Sequence, residues 1–199
     1  MTEAYAVNCA ALCQESMLQK VYGLLDKTRQ ARVRRLRVPQ KRAQCAAAGM
    51  LLRHLFGSET IAYAGNGKPY LQNKPATHFN LAHTGNWVFC AVSHVPVGVD
   101  AQVLTAYKER LAKRWFTPEE QLWIREEPSV RFTRLWTQKE AYAKMTGEGI
   151  VKAVTGNTII QHFIKEYDDF ADENIYITVC AKENIVFPPA IVKITEPLW

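Results

Sequence analysis

The feature that most constrains the fold is a pair of strand-like runs separated by a proline. Residues 87–95 are rich in Val, Phe, Cys and Ala, and a second strand is predicted over residues 97–103, after Pro96. Helix-rich sequence precedes strand-like sequence both before and after this proline. Such a repeated order predicts an α+β chain whose two halves meet near Pro96.

The first helical region is interrupted and strongly basic. Residues 26–55 are predicted to be largely helical, with a break at Pro39, because proline lacks an amide donor. The second helix, over residues 40–56, is rich in alanine and offers a core face. That face consists of Met50, Leu51, Leu52 and Leu55.

Capping residues and the alternation of apolar and polar residues predict the helices and strands of the later part of the chain. Thr117 can cap a helix in which Glu120 closes a capping box, and another helix is predicted over residues 130–145. The remainder alternates apolar and polar residues, as strands do. The strand-like runs are residues 157–164, 175–181 and 190–194.

Composition excludes several classes of protein. The 199 residues are 48% hydrophobic and 22% charged, which rules out a disordered or low-complexity chain. No apolar run is long enough to span a bilayer. The first residues lack a basic segment followed by a long apolar run, so a cytoplasmic location is expected.

The cysteines and the net charge indicate the state of the thiols and the kind of partner that the protein binds. The five cysteines are odd in number and show no two-residue spacing, so free thiols, some of them buried, are expected. The formal charge is +6 and the pI about 9.1. This charge favours an acidic or polyphosphate partner, without choosing among nucleic acid, an acidic protein and a small phosphorylated molecule.

The predicted strand over residues 97–103 carries one acid and one amide. Val97 and Val99 should face the core, while Gly98, Asp100 and Gln102 line the other face, where Gly98 would leave room for a ligand. Carboxylate and amide oxygens suit a hard cation. An exposed aspartate near a strand end is the ordinary alternative.

Two further motifs carry charged groups. On the last predicted helix, Trp136, Glu140 and Lys144 form one stripe, which can equally be a solvated ion pair beside a core tryptophan. Lys68, near a turn, and His83 are plausible phosphate contacts. A structural role for His83 in a loop is the alternative.

Taken in order, these motifs resemble a known family. They are Gly-Lys-Pro at 67–69, Asn-Leu-Ala-His-Thr-Gly at 80–85, Gly-Val-Asp at 98–100 and Trp-x-x-Lys-Glu-Ala-x-x-Lys at 136–144. The set is similar to the 4'-phosphopantetheinyl transferases of the surfactin-synthetase-activating type. The resemblance covers about residues 29–159.

The resemblance implies a fold and an activity. The family's fold is a pseudo-twofold pair of similar α/β halves with the active site in the cleft between them. The implied halves are residues 1–96, with the coenzyme A-binding basic helix, and residues 97–199, with the metal-binding strand and helix. The family uses Mg²⁺ to move the phosphopantetheine arm of coenzyme A to a serine of an apo acyl or peptidyl carrier protein, releasing adenosine 3',5'-bisphosphate. A monomer with an acidic carrier partner, no nucleic acid and no membrane is expected.

The resemblance also implies roles for the acidic residues. Asp100, Gln102 and Glu140 would hold the metal, and Glu140 would also be the general base for the carrier serine. Lys144 would hold the diphosphate as a point charge. Glu120 matches another acid of the family, although its capping box is an equal explanation.

Coenzyme A contacts are implied for a larger set. The basic residues expected at the 3'-phosphate are Arg29 and Arg32, which lie three apart on one helical face. The complete set is Arg29, Arg32, Arg53, Lys68, Pro69, His83, Thr84, Asp100 and Lys144.

Two departures from the family pattern leave an alternative open. Gln102 stands where the family often has a second acid, and Ala82 replaces a motif serine. A catalytically weak relative that binds coenzyme A or an acidic carrier protein without transfer is therefore a second hypothesis. A nucleic-acid-binding domain based on the basic residues 29–42, and a Cys90–His83 nucleophile, are weaker readings.

Overall fold

A computed structural model describes residues 2–149, 164–182, 185–195 and 198. The strands are β1 (Glu3–Asn8), β2 (Ile61–Tyr63), β3 (Pro69–Leu71), β4 (His78–Thr84), β5 (Trp87–Ser93), β6 (Val97–Val103), β7 (Ile164–Tyr167), β8 (Ile175–Ala181) and β9 (Val192–Ile194). The helices are α1 (Glu15–Tyr22), α2 (Lys27–Arg35), α3 (Pro39–Phe56), α4 (Glu109–Trp115), α5 (Pro118–Ile124) and α6 (Pro128–Thr146). The chain is therefore of the mixed α+β class.

The strands form two larger sheets and a small hairpin. The first sheet has the order β4-β5-β1-β9, in which β1 pairs antiparallel with β5 and parallel with β9. The second is antiparallel in the order β6-β8-β7, and β2 and β3 form the hairpin. The last strand, β9, thus returns to the sheet that contains the first.

Alternation along β5 shows how the layers stack. Val88 and Cys90 pack in a core with the helices α1 to α3, whereas Phe89 and Ala91 pack in a core with the second sheet. Because successive strand residues point to opposite faces, the first sheet lies between those helices and the second sheet. On the far side of the second sheet, Cys180 packs against α6.

The two faces of β6 are both covered. Val97 and Val99 pack in the core between the sheets, as the alternation predicted. The expectation that Gly98 leaves room for a ligand is wrong, because α6 occupies that space. A Cβ atom at Gly98 would overlap the carbonyl oxygen of Ala141 and lie 2.6 Å from the amide nitrogen of Met145. The glycine therefore permits close packing of the strand on the helix.

Replacing Gly98 with alanine tests this packing. The added methyl group meets backbone atoms of α6 that cannot rotate away, so we expect a loss of about 1–3 kcal/mol in the free energy of unfolding. Urea denaturation measures it. Gly65→Ala is the control, since a Cβ there meets nothing within 4 Å. Equal stability of the two variants would contradict the close approach.

Side chains of β4 join the two sheets. Asn80 Oδ1 accepts a hydrogen bond from the Val99 amide at 3.0 Å, and Thr84 Oγ1 accepts one from the Val103 amide at 3.1 Å. Both residues are largely buried. The first bond gives a partner to the amide of the buried Val99, and both bonds fix β4 next to β6.

Most sequence-predicted elements are present. Pro39 begins α3 after a break, and Thr117 and Glu120 form the predicted capping box. β8 has the predicted bounds, and β9 is shorter than its predicted run. The predicted strand over residues 157–164 lies outside the described residues except at its last position, where β7 begins. Four of the described strands, β1, β2, β3 and β4, have no counterpart among the predicted strands.

Two global expectations can be compared with the structure. All five cysteines are free, and Cys9, Cys90 and Cys180 are buried, as predicted. Within the described part of the chain, no helix combines the length and apolar character needed to cross a membrane.

Candidate active site

Lys144 of α6 contacts Asp100, the predicted acidic residue of β6. Its Nζ donates to Asp100 Oδ1 at 2.6 Å and to the Val99 carbonyl at 3.1 Å. Asp100 is only 8% exposed, so burial raises the pKa of its carboxyl group, and Lys144 and the Ala101 amide oppose that rise. The close packing of β6 on α6 at Gly98 places these groups side by side.

Glu140 lies one helical turn before Lys144 and near Asp100. Its pKa is raised first by desolvation and next by the negative charge of Asp100, while Lys144 lowers it. Among the described residues, no hydrogen bond or ion pair engages the Glu140 side chain. The site therefore holds two mutually repelling carboxylates and one ammonium group.

The oxygen-bearing side chains of this site can be compared with the ligands that a divalent cation requires. Gln102 follows Asp100 by two residues on β6, so its amide leaves the strand on the same side. Two carboxylates and an amide oxygen are hard ligands of the kind that Mg²⁺ takes, usually with phosphate and water completing the set. The repulsion that raises the pKa of Glu140 is what a cation would relieve. The described residues contain no cluster of three or more His, Cys, Asp or Glu side chains. The residues thus fit Mg²⁺ held partly by a ligand, and do not form a closed protein cage.

Glu140 and Lys144 line a cavity of about 290 Å³, here called the Glu140 cavity. A second cavity of about 500 Å³, here called the basic cavity, lies next to it. The basic cavity is lined in part by Arg29, Arg32, Arg35, Lys41, Tyr63 and His83. The two cavities share Gly67, Pro69, Asn80 and Leu81. One extended ligand can therefore reach both.

The basic cavity has the positive charge and the unpartnered donor that suit an anion. Arg29 is 5% exposed, and its Nε has no hydrogen-bond partner among the described residues. The Arg32 guanidinium lies 4.0 Å from the centroid of the Tyr63 ring. The pKa of His83 is lowered by desolvation and by the positive charges of Lys41 and Lys144. A buried, unpartnered guanidinium nitrogen is costly unless a ligand completes it.

The other residues expected to bind coenzyme A are more scattered. Lys68 lines the Glu140 cavity, although its Nζ donates to the Met145 carbonyl at 2.6 Å. Pro69 lines both cavities. Thr84 lines neither and instead bonds to β6. Arg53 lines a separate cavity beside Leu24 and Gly57, so the structure does not bring it together with Arg29.

Sequence reasoning left several cavity residues without a role. Arg35 continues the three-residue spacing of Arg29 and Arg32 along α2, and this spacing was the available signal. Lys41 lies on another helix, and nothing local indicates where it points. Arg42, from the same basic run, instead pairs with Glu15 at 2.6 Å.

Glu120 does not reach the site directly. One of its oxygens accepts the Thr117 amide at 2.8 Å, and the other lies 2.9 Å from Lys139 Nζ. The Lys139 side chain is completely buried, and its ammonium lies 5.2 Å from the centroid of the Phe116 ring. Glu120 therefore links the start of α5 to the helix that carries Glu140.

Cys90 lies in the middle of β5 and packs in the core beneath α3. Burial raises the pKa of its thiol well above the ordinary value. A buried thiol that stays protonated is a poor nucleophile, which argues against a Cys90–His83 pair.

Comparisons with known proteins identify the family of the chain. A family model described as the 4'-phosphopantetheinyl transferase superfamily matches residues 96–185, which include Asp100, Glu140 and Lys144. The 4'-phosphopantetheinyl transferase psf-1 of Bacillus pumilus is 37% identical over 51% of this chain and 48% of its own length. HetI of Nostoc sp. is 36% identical over 69% of this chain and 66% of its own length. Sfp of Bacillus subtilis is 34% identical over 42% and 39%, respectively.

These matches define the class of the protein: the chain belongs to the 4'-phosphopantetheinyl transferase superfamily. Within it, the similar proteins are of the surfactin-synthetase-activating type, which includes Sfp, Gsp and HetI. The chain spans about half to two thirds of the length of the first curated relatives that it matches.

Proposed function

We propose that this chain transfers the 4'-phosphopantetheine arm of coenzyme A to a serine of an apo acyl or peptidyl carrier protein. The reaction depends on Mg²⁺ and releases adenosine 3',5'-bisphosphate. The observation that carries this proposal is the continuity of the basic cavity with the cavity that holds Glu140 and Lys144. A nucleotide-bearing diphosphate spans two such cavities, and the relatives' names describe this activity.

The basic cavity receives the nucleotide end of coenzyme A. Arg29, Arg32, Arg35 and Lys41 supply positive charge there, and none of the described residues that line it is acidic. Guanidinium groups bind phosphate through paired N–H donors, so Arg29 and Arg32 are suited to the 3'-phosphate. The neutral state that a lowered pKa favours for His83 suits contact with a nucleoside as well as phosphate.

The diphosphate lies in the Glu140 cavity beside Lys144 and Lys68. An adjoining apolar cavity of about 650 Å³, lined in part by Leu71, Phe79 and Met145, shares Lys68 and Pro69 with it and receives the pantetheine arm. The nucleotide, the diphosphate and the arm then occupy three connected spaces.

Glu140 and Lys144 act directly in the transfer reaction. The carrier serine Oγ attacks the β-phosphorus, its proton passes to the Glu140 carboxylate, and the bond between this phosphorus and the bridging oxygen breaks. Adenosine 3',5'-bisphosphate leaves with that oxygen. A raised pKa makes Glu140 a better proton acceptor than an ordinary glutamate. Lys144 stabilises the charge that develops on the phosphate oxygens.

Asp100, Gln102 and Glu140 would hold Mg²⁺. When bound, the ion neutralises and orients the diphosphate oxygens. The ion pair with Lys144 opposes the rise in the Asp100 pKa that burial causes, and so favours the ionised carboxylate that a cation requires. Gln102 supplies an oxygen without a charge.

The fold is proposed to comprise two pseudo-twofold halves, residues 1–96 and 97–199, with the site in the cleft between them. The bonds from Asn80 to Val99 and from Thr84 to Val103 cross this boundary and support its rigidity. The chain is proposed to act as a cytoplasmic monomer on an acidic carrier.

Mass spectrometry tests the activity. The purified chain is incubated with coenzyme A, Mg²⁺ and a panel of apo acyl and peptidyl carrier proteins. A carrier that gains the phosphopantetheine mass supports the proposal. Coenzyme A binding by calorimetry, with no mass gain on any carrier, would instead select the weak relative that binds without transfer.

Replacing Gln102 with glutamate tests the metal site. The added negative charge strengthens attraction for a divalent cation, so we expect the Mg²⁺ concentration that gives half the maximal rate to fall at least about threefold. Gln72→Glu, an exposed substitution that lines none of the three connected cavities, is the control. An identical Mg²⁺ titration for both variants would refute the role of Gln102.

A further inference from the structure

Asn80 is held at the junction of the basic cavity and the Glu140 cavity. It lines both of them and is 6% exposed. Of the four residues that the two cavities share, Gly67, Pro69 and Leu81 offer no polar side chain. A ligand that reaches from the basic cavity to Glu140 therefore passes the Asn80 amide.

The orientation of this amide is fixed by β6. Asn80 Oδ1 accepts a hydrogen bond from the Val99 amide at 3.0 Å, and only the oxygen can accept it. The amide therefore cannot flip without leaving the buried Val99 N–H unpaired. Its Nδ2, which carries two donor hydrogens, has no partner among the described residues.

The same peptide connects Asn80 to the acidic residues. The Val99 carbonyl accepts from Lys144 Nζ at 3.1 Å, and the same Nζ lies 2.6 Å from Asp100 Oδ1. Asn80, Lys144 and Asp100 thus form a continuous hydrogen-bonded set around Val99. Any phosphate group held by Lys144 lies beside the region that Asn80 lines.

We propose that Asn80 is a substrate-binding residue that donates from Nδ2 to the diphosphate of coenzyme A, in a position set by its bond to Val99. This inference rests on the proposed function and names a group that the sequence motifs left without a role. Ala82 offers no hydroxyl and packs in the core between the sheets. The Asn80 amide is the polar side chain that β4 presents at this junction.

Calorimetry in metal-free buffer tests the proposal without relying on turnover. Two ligands are compared: coenzyme A, which carries the diphosphate, and adenosine 3'-monophosphate, which occupies only the basic cavity. Asn80→Asp keeps an acceptor for the Val99 amide but removes the donor. We expect it to weaken coenzyme A binding at least about tenfold, since bonds to charged groups are strong, and to weaken adenosine 3'-monophosphate binding far less.

A second variant separates the donor from the added charge. Asn80→Leu is neutral and close in size, and it is expected to show the same selective loss in the fraction that remains folded, as judged by circular dichroism. Asn86→Asp, in the exposed turn between β4 and β5, places the same charge outside both cavities and is the control.

The outcomes are distinct. Selective loss of coenzyme A affinity in both Asn80 variants supports the proposal. Wild-type affinity for coenzyme A in folded Asn80→Leu, or an equal loss for both ligands, would overturn it and leave Asn80 a purely structural residue. Failure of the wild-type chain to bind coenzyme A would instead count against the proposed function.

Discussion

The Glu140→Gln variant is expected to transfer phosphopantetheine about 1000-fold more slowly than the wild-type chain. The amide cannot accept the serine proton, and loss of a general base costs about 10²- to 10⁴-fold in rate. Because the Glu140 carboxylate offers no donor to the diphosphate and does not line the basic cavity, coenzyme A affinity in metal-free buffer should not fall more than about threefold. A continuous assay of transfer to a carrier protein, together with calorimetry of coenzyme A binding, measures both quantities.

Glu127→Gln provides a matched control for this substitution. Glu127 is exposed at the start of the same helix and makes no capping bond with its side chain. Its variant should retain the wild-type rate. If Glu140→Gln also turns over at a near-normal rate, Glu140 has no role as the base, and the proposed chemistry at this site is wrong.

The second large effect is expected at the buried ion pair between Glu120 and Lys139. Glu120→Gln retains an oxygen to accept the Thr117 amide, so the cap of α5 persists, but it removes the charge that faces Lys139 Nζ. Breaking a buried pair leaves an uncompensated charge and costs about 3–5 kcal/mol in the free energy of unfolding. Urea denaturation should show that loss.

Two comparisons isolate the ion pair as the cause. Glu109→Gln removes one partner of the exposed pair with Lys113 and should leave stability unchanged, because solvent screens that pair. The double variant Glu120→Gln/Lys139→Met carries neither charge and should recover much of the lost stability. If the double variant is no more stable than Glu120→Gln, unpaired charge does not account for the loss.

Local patterns account for the elements that the sequence predicted correctly. The Pro39 break, the capping box of Thr117 and Glu120, and the alternation in β8 are all decided by neighbouring residues. β1 escaped prediction because its short Ala- and Val-containing run becomes a strand by pairing with β5 and β9. The sequence of a six-residue segment does not by itself indicate such long-range pairing.

The acidic part of the candidate site was easier to predict than its surroundings. Asp100, Glu140 and Lys144 belong to distinctive motifs, and the structure brings Lys144 into contact with Asp100. The error at Gly98 arose because alternation shows that a strand has a second face but not what covers it. The place of Lys41 in the basic cavity depends on how α3 packs, which no local pattern encodes.

The parallel pairing of β9 with β1 has a consequence for how the molecule unfolds. A strand from the last part of the chain completes the sheet begun by the first strand, with β1 in the interior of that sheet. Neither segment can separate from the other without exposing backbone amides and carbonyls of the shared ladder. The first and the last strand thereby belong to one cooperative unit, so local opening at the candidate site need not propagate into division of the molecule.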